Sequence, residues 1–181
     1  MKRRLFIGID VSSGTKTYIK KTLVPLHSKY PAISWIPVEN LHITLAFLGY
    51  TTVLPALLIK ALQKKLRAST CFPLELGEVG EIVKDRVTVV WEVTKSEELF
   101  RLYHMVGNVL VSLGFHRNKR TFHPHVTLGR SASNSEKRLP QLAHTFTVSE
   151  LTLFDSHLKS SGAHYHKLGA IILPTHEKKN Y

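Results

Sequence analysis

Two histidines, each followed two residues later by a threonine, are the residues of this sequence best equipped for chemistry: His42-Ile43-Thr44-Leu45 and, 83 residues on, His125-Val126-Thr127-Leu128. With 11 His, 15 Thr and 25 Leu in 181 residues, chance supplies about 0.1 copies of His-x-Thr-Leu, so two copies need a reason. An imidazole of ordinary pKa, ~6.5, is charged or neutral near physiological pH. A facing pair can therefore serve as acid and base without a metal. In phosphodiester hydrolysis the neutral ring would take a proton from the attacking water while the imidazolium protonates the departing oxygen. The threonine hydroxyl would donate to a non-bridging phosphate oxygen as charge shifts onto it. A lone His-x-Thr is most often the polar face of a sheet; two copies in matching contexts within a basic chain favour chemistry.

Both phrases sit in apolar, β-prone runs, Leu41 to Leu48 and His125 to Leu128. Period-two alternation puts His42 with Thr44, and His125 with Thr127, on one strand face, and turns Ile43, Leu45, Val126 and Leu128 toward a core. Around them the chain alternates strand and helix twice. Leu5 to Val11 reads as a buried strand, and Ser12-Ser13 as the cap of a helix ending before Pro25. Pro55 opens a helix with Leu58, Leu62 and Leu66 on one face. Phe72 to Glu92 reads as a hairpin turned at Asp85. Thr94 with Glu97 predicts a capping box for the clearest helix, Leu99 to Leu113, closed by Gly114. A loop is expected over Ser131 to Glu136, a short helix or irregular segment over Glu136 to His144, and strands over Phe146 to Leu158 and Tyr165 to Leu173 turned at Ser160-Ser161-Gly162, before a frayed tail from His176. These elements imply one α+β domain of two related lobes, each placing its motif strand beside a shared cleft.

Composition narrows the substrate. Lys and Arg number 25 against 13 Asp and Glu, a formal charge of +12, which attracts polyanions and makes their binding salt-dependent. The basic residues are scattered, a diffuse field more than a dedicated arm. No stretch approaches the ~20 apolar residues of a membrane span, and Asp10 interrupts what would otherwise resemble a signal peptide behind Met1-Lys2-Arg3-Arg4. The lone Cys71 rules out an internal disulfide framework and fits a reducing compartment, with a small packing residue as its reading.

Longer signatures surround the two phrases. Trp35-Ile36-Pro37-Val38-Glu39-Asn40-Leu41-His42-Ile43-Thr44-Leu45-Ala46-Phe47-Leu48-Gly49 and Arg120-Thr121-Phe122-His123-Pro124-His125-Val126-Thr127-Leu128-Gly129-Arg130 resemble the paired signatures of the 2H phosphoesterase superfamily. More narrowly they resemble its RNA 2′,3′-cyclic phosphodiesterases, the 2′-5′ RNA ligase family. The likeness extends to Arg4-Leu5-Phe6-Ile7-Gly8-Ile9 and to Leu151-Thr152-Leu153-Phe154-Asp155-Ser156 with Tyr165 to Leu168, and so covers nearly the whole chain. It implies an α+β fold with pseudo-two-fold symmetry over residues 1–181, two mainly antiparallel sheets flanking a central basic cleft with helices outside. It implies hydrolysis of RNA 2′,3′-cyclic phosphate ends to 2′-phosphates, in some members also joining of 2′-5′ linkages, with no metal or cofactor. By position His42 would be the proton donor, His125 the proton acceptor, and Thr44 and Thr127 the phosphate holders. A cytoplasmic monomer with RNA as its partner, no membrane and no obligate protein partner is the expectation.

Arg130 has the wrong parity to share a face with His125 and Thr127, but a strand ending at Gly129 would release it toward phosphate. Arg120 could reach phosphate or make structural contacts at the strand entrance. Phe47 and Phe122 could stack on a base or pack in the core. The pairs His123/His125 and His164/His166 have a spacing that metals use, yet HExxH and cysteine pairs are missing, which argues against zinc; a P-loop for ATP-driven ligation is missing too. Two other functions fit the same residues: an RNA-binding protein whose site does not turn over, which would need charge and stacking but not two matched imidazoles, and a phosphodiesterase for a small cyclic phosphate such as an ADP-ribose cyclic phosphate.

Overall fold

The computed structural model describes residues 2–118, 120–132, 143–159 and 162–175. The expected loop and short helix between Ser131 and His144, the Ser160-Ser161 turn and the tail from His176 fall wholly or largely outside these residues. Nine strands are described: β1 (Arg3–Asp10), β2 (Ser34–Trp35), β3 (His42–Thr51), β4 (Phe72–Val83), β5 (Val87–Val93), β6 (His125–Ser131), β7 (His144–Val148), β8 (Glu150–Lys159) and β9 (Gly162–Ile172). Four α-helices accompany them: α1 (Ser13–Leu23), the single turn α2 (Leu26–Lys29), α3 (Pro55–Lys65) and α4 (Glu97–Ser112). The strands form one curled antiparallel sheet in the order β7-β4-β5-β6-β3-β1-β8-β9, with β2 on β6.

That sheet is two four-stranded halves joined at a seam. Between β3 and β6 the register holds one pair, Ile43 with Val126, whereas β1 and β3 pair over Arg3 to Asp10 and β5 and β6 over Val87 to Glu92. The chain crosses between the halves: β1 and β3 belong to one, β4 to β7 to the other, and β8 and β9 return to the first. Helices cross too. Tyr18 of α1 stacks over Trp91 of β5 with centroids 6.1 Å apart, whereas α3 packs on β9 and α4 on β3.

Local sequence explains each element. Ser12 caps α1 by accepting from the Thr15 amide at 3.2 Å, satisfying one of the free N–H groups of the first turn. Pro55 occupies the first turn of α3, where its missing N–H costs nothing, and Leu58, Leu62 and Leu66 are fully buried. Each such leucine contributes about 1.5–3 kcal/mol of burial. Trp91, also fully buried, keeps its indole N–H satisfied on the Gly77 carbonyl at 2.8 Å.

Five expectations change. Ser96, not Thr94, caps α4, accepting from the Leu99 amide at 3.2 Å, while the Thr94 amide donates to Glu75 O across the sheet. Leu113 lies partly exposed just past the end of α4, where its side of the helix has run out of partners. The span read as one strand from Phe146 divides at Ser149, whose carbonyl accepts from Leu173 and turns the chain from β7 to β8. β3 runs through Gly49, which takes a positive φ of 67° without breaking the pairing of Leu5 with it. β6 likewise runs past Gly129 to Ser131, because β2 and β5 both pair with its end.

Gly8 sets how closely β1 approaches the first motif. A Cβ there would lie 2.8 Å from the Ile43 carbonyl oxygen and 3.4 Å from His42 Cδ2, a backbone contact that no rotamer change relieves. Gly8→Ala is therefore expected to cost about 1–3 kcal/mol of overpacking strain, measured as a lowered urea midpoint; an unchanged midpoint would show that β1 and β3 separate freely.

Candidate functional site

The seam assembles the site. Extending the Ile43–Val126 pair by one residue in each direction sets His42 opposite Thr127 and Thr44 opposite His125. Positions flanking a pair share the opposite face, so all four side chains point to one side while Ile43 and Val126, both fully buried, point to the other. The two histidines sit diagonally, related by a pseudo-two-fold axis through the seam, at a spacing of about 7–8 Å that two imidazoles can bridge through a third group.

Each imidazole is aimed the same way. His42 Nδ1 lies 2.7 Å from the Asn40 carbonyl and His125 Nδ1 lies 2.7 Å from the His123 carbonyl. A carbonyl only accepts, so Nδ1 carries the proton in both rings, which leaves Nε2 as the nitrogen toward the cleft. In neutral His42, Nε2 accepts from the Thr44 hydroxyl at 3.0 Å. The register supports the His42 anchor: Asn40 also donates through Nδ2 to the Ala163 carbonyl at 2.9 Å, tying the start of β3 to β9.

Aromatic rings wall His42. Phe6 stands 4.7 Å from it, Tyr165 5.2 Å away edge-on, and Phe154 5.7 Å away. Burial holds its pKa below the ordinary imidazole value; the Asn40 carbonyl and the Asp10 carboxylate oppose this, and the charges of His125 and Lys16 reinforce it. Asp10, the cross-strand partner of His42, is itself clasped by Lys16 at 2.7 Å and by Lys167.

The fourth residue of each motif does something alternation alone does not express. The β1–β3 register steps from Gly8/Thr44 to Ile7/Ala46 and skips Leu45. The β5–β6 register steps from Val90/Thr127 to Val89/Gly129 and skips Leu128. Each leucine is the extra residue of a β-bulge, which reverses the facing of the residues beyond it. Phe47 thereby pairs with Phe6, two residues from the Gly8 that pairs with Thr44, and shares the cleft face; it is 72% exposed. By the same construction Arg130 pairs with Thr88, two residues from the Val90 that pairs with Thr127, and is exposed on that face. The expectation that Arg130 needed the strand to end is corrected: the strand continues, and the bulge turns it. Phe47 and Arg130 are thus equivalent positions of the two motifs.

Arg120 is exposed on the approach to β6, its amide bonded to Asn118 Oδ1 at 3.1 Å. Phe122 is engaged in packing, stacked on Tyr103 with centroids 4.0 Å apart and edge-on to Phe100. Asp10 and Tyr165 border His42 although neither has a site role in the sequence motifs; Tyr165 stands only at the edge of the family likeness, and it is the placement of β9 that brings its ring to His42. Among the described residues no group of three or more His, Cys, Asp or Glu is arranged to hold a metal ion, and no helix is long and apolar enough to cross a membrane.

Comparison with known proteins converges. The model of the 2′-5′ RNA ligase superfamily matches residues 25–159. The chain is 31% identical over 176 residues to an RNA 2′,3′-cyclic phosphodiesterase of Geobacillus stearothermophilus, covering 89% of this chain and 55% of that protein, so it spans about half of that relative's length. It is 29% identical over 158 residues to the RNA 2′,3′-cyclic phosphodiesterase of Escherichia coli, covering 85% of this chain and 87% of that one. Among solved structures, E. coli LigT in apo form superposes with a TM-score of 0.75 at 27% identity, covering 96% of this chain and 99% of that chain. E. coli LigT complexed with phosphate does so with a TM-score of 0.75 at 26% identity and the same coverage.

The charges around His42 can be read directly. In an NMR titration His42 should lose its proton below the pH of an ordinary imidazole. Asp10→Asn, which removes an opposing negative charge, should lower that pH further, and Lys16→Met should raise it; shifts of the same sign in both variants would contradict the electrostatic assignment.

Proposed function

Because the chain belongs to the 2′-5′ RNA ligase superfamily, we propose that it hydrolyses 2′,3′-cyclic phosphate ends of RNA to 2′-phosphomonoesters, with His42 and His125 as proton donor and acceptor. The observation that carries this reading is the diagonal placement of two identically oriented imidazoles across the Ile43–Val126 seam. A phosphorus lying on the pseudo-dyad has one Nε2 on each side, the arrangement an in-line displacement needs.

Neutral His125 accepts a proton through Nε2 from a water as its oxygen bonds to phosphorus. The P–O3′ bond breaks, and His42 Nε2 gives its proton to O3′. A 2′-phosphomonoester and a 3′-hydroxyl remain, with the proton transferred from one imidazole to the other and returned through solvent. Thr44 and Thr127 donate to the non-bridging oxygens, Arg130 supplies a positive charge on the same face, Arg120 lies on the approach, and Phe47 offers a flat surface to a base. If a 5′-hydroxyl takes the place of water, the same displacement joins a 2′-5′ linkage. No cofactor enters these steps. The working unit in this reading is a cytoplasmic monomer, residues 1–181 acting as one domain of two interleaved lobes.

Burial of His42 gives the pH dependence its sign. The empty site disfavours the imidazolium, and an anionic phosphate seated beside it favours the imidazolium again. In kcat/KM, which reports free enzyme, activity should therefore fall as pH rises through a value below that of an ordinary imidazole. In kcat, which reports the bound complex, that same limb should move to higher pH.

Assay of a nucleoside 2′,3′-cyclic phosphate should show losses of about 10²–10⁴-fold for His42→Ala and for His125→Ala, with melting temperatures retained and a 2′-phosphate as product. Thr44→Val or Thr127→Val should cost about 10²–10³-fold. Full activity in either histidine variant, or a 3′-phosphate product, would refute the assignment of the leaving oxygen and its acid.

A further inference from the structure

Beyond the four motif residues, the cleft face of β1 continues past His42 into a cavity of about 330 Å³. Its lining includes Asp10, Ser13, Lys16, Ser149, Glu150 and Lys167. It lies where the chain passes from β7 of one half-sheet to β8 of the other, between the end of β1, the start of α1, the β7–β8 turn and β9. A cavity of this size is large enough for a small ligand group.

The two lysines are prepared rather than free. Asp10 holds Lys16 through Oδ1 and Lys167 through Oδ2, and Lys16 also donates to the Glu39 carbonyl at 3.3 Å. Each ammonium has three N–H donors. Among the described residues these bonds leave Lys16 one donor and Lys167 two, with both stems oriented by a carboxylate that is itself largely buried. Asp10 is the cross-strand neighbour of His42, so these donors open one position along from the reacting centre.

The two ends of the cleft face differ in kind. Phe6 with Phe47 form an apolar, aromatic end; four residues along β1, about 13 Å at the rise of a strand, Asp10, Glu150 and the two lysines form a polar, charge-paired, hydroxyl-lined end. Thr44, opposite Gly8, lies between them, and His42 is level with Asp10. A ribose bearing its 2′,3′-phosphate at the seam carries a base on one side and a 5′-oxygen on the other, and only the 5′-oxygen continues the RNA chain.

We propose that this cavity is the subsite for the 5′-phosphate of the terminal nucleotide, with Lys167 and Lys16 as its donors, so that the site distinguishes an RNA end from a bare nucleoside cyclic phosphate. The inference deepens the reading above and rests on it. Glu150 and Asp10 balance the two lysine charges, so an untethered phosphate gains little here. A 5′-phosphate delivered by a nucleotide already seated at the seam is present at high effective concentration and needs only the directed donors.

The test is calorimetric titration of the full chain with a nucleoside 2′-phosphate and with the matching nucleoside 2′,5′-bisphosphate. The bisphosphate should bind about tenfold more tightly, as charge-assisted hydrogen bonds to two ammonium groups provide. Lys167→Ala should abolish that preference, Lys167→Arg should keep it, and Lys60→Ala, an equal loss of charge on the exposed face of α3, should keep it as well. Equal affinities in the parent, no binding of either ligand, a preference intact in Lys167→Ala, or one lost equally in Lys60→Ala would each overturn the subsite. Turnover of a nucleoside 2′,3′-cyclic phosphate by the parent tests the reaction separately: turnover without the preference removes the subsite alone, and the preference without turnover removes the reaction alone.

Discussion

One backbone pairing holds the molecule's chemistry together. Where β3 meets β6, only Ile43 and Val126 are in register, and that pair brings two motifs 83 residues apart to a common face. A strand pair normally draws its stability from a ladder of hydrogen bonds and cross-strand contacts. Here most of that ladder is elsewhere, in β1–β3 on one side and β5–β6 on the other. The seam is held from beneath, by Ile43 and Val126 buried with Leu45, Leu128 and the helices that cross between the halves. The surface above it is left free for polar side chains.

The bulges are the second structural device. A leucine in the fourth position of each motif satisfies the core, and as an inserted residue it also reverses the alternation beyond it. Strict alternation would part these side chains: His and Thr share one facing, and the residue five positions after the histidine reaches the same facing from an odd offset only through the bulge. Gly129, directly after its bulge, packs against β2 and the residue before it: a Cβ would meet Ile33 Cγ2 at 2.5 Å and the Ser34 carbonyl oxygen at 3.2 Å. The same geometry turns out an aromatic ring in one half and a guanidinium in the other. Pseudo-symmetry of backbone thus carries an asymmetry of side chains.

Electrostatics distinguishes the two imidazoles in the same way. Both are anchored through Nδ1 to the carbonyl two residues before them. Only His42 is packed among Phe6, Phe154 and Tyr165 and faced by the Asp10 ion cluster. Desolvation disfavours its charged form while Asp10 favours it. A ring in that balance responds strongly to any anion placed beside it.

Much of this was legible in the chain. Alternation within each His-x-Thr-Leu dictated which residues face the core, the spacing of Leu58, Leu62 and Leu66 dictated α3, and the repeated phrase with its flanks identified the family, because short-range periodicity and a local chemical signature are written in consecutive residues. What tertiary structure decided depends on residues distant in sequence. The cap of α4 is Ser96, two residues later than Thr94, because pairing of the Thr94 amide with the Glu75 carbonyl keeps the chain in the sheet up to that point. Phe47 and Arg130 reached the cleft because neighbouring strands chose where the register would slip. Asp10, Lys16 and Lys167 became one cluster only when β9 returned along β8, one strand removed from β1. Sequence determines what each strand can present; which strands adjoin, and therefore which charges share a cleft, is settled by the packing of the whole sheet.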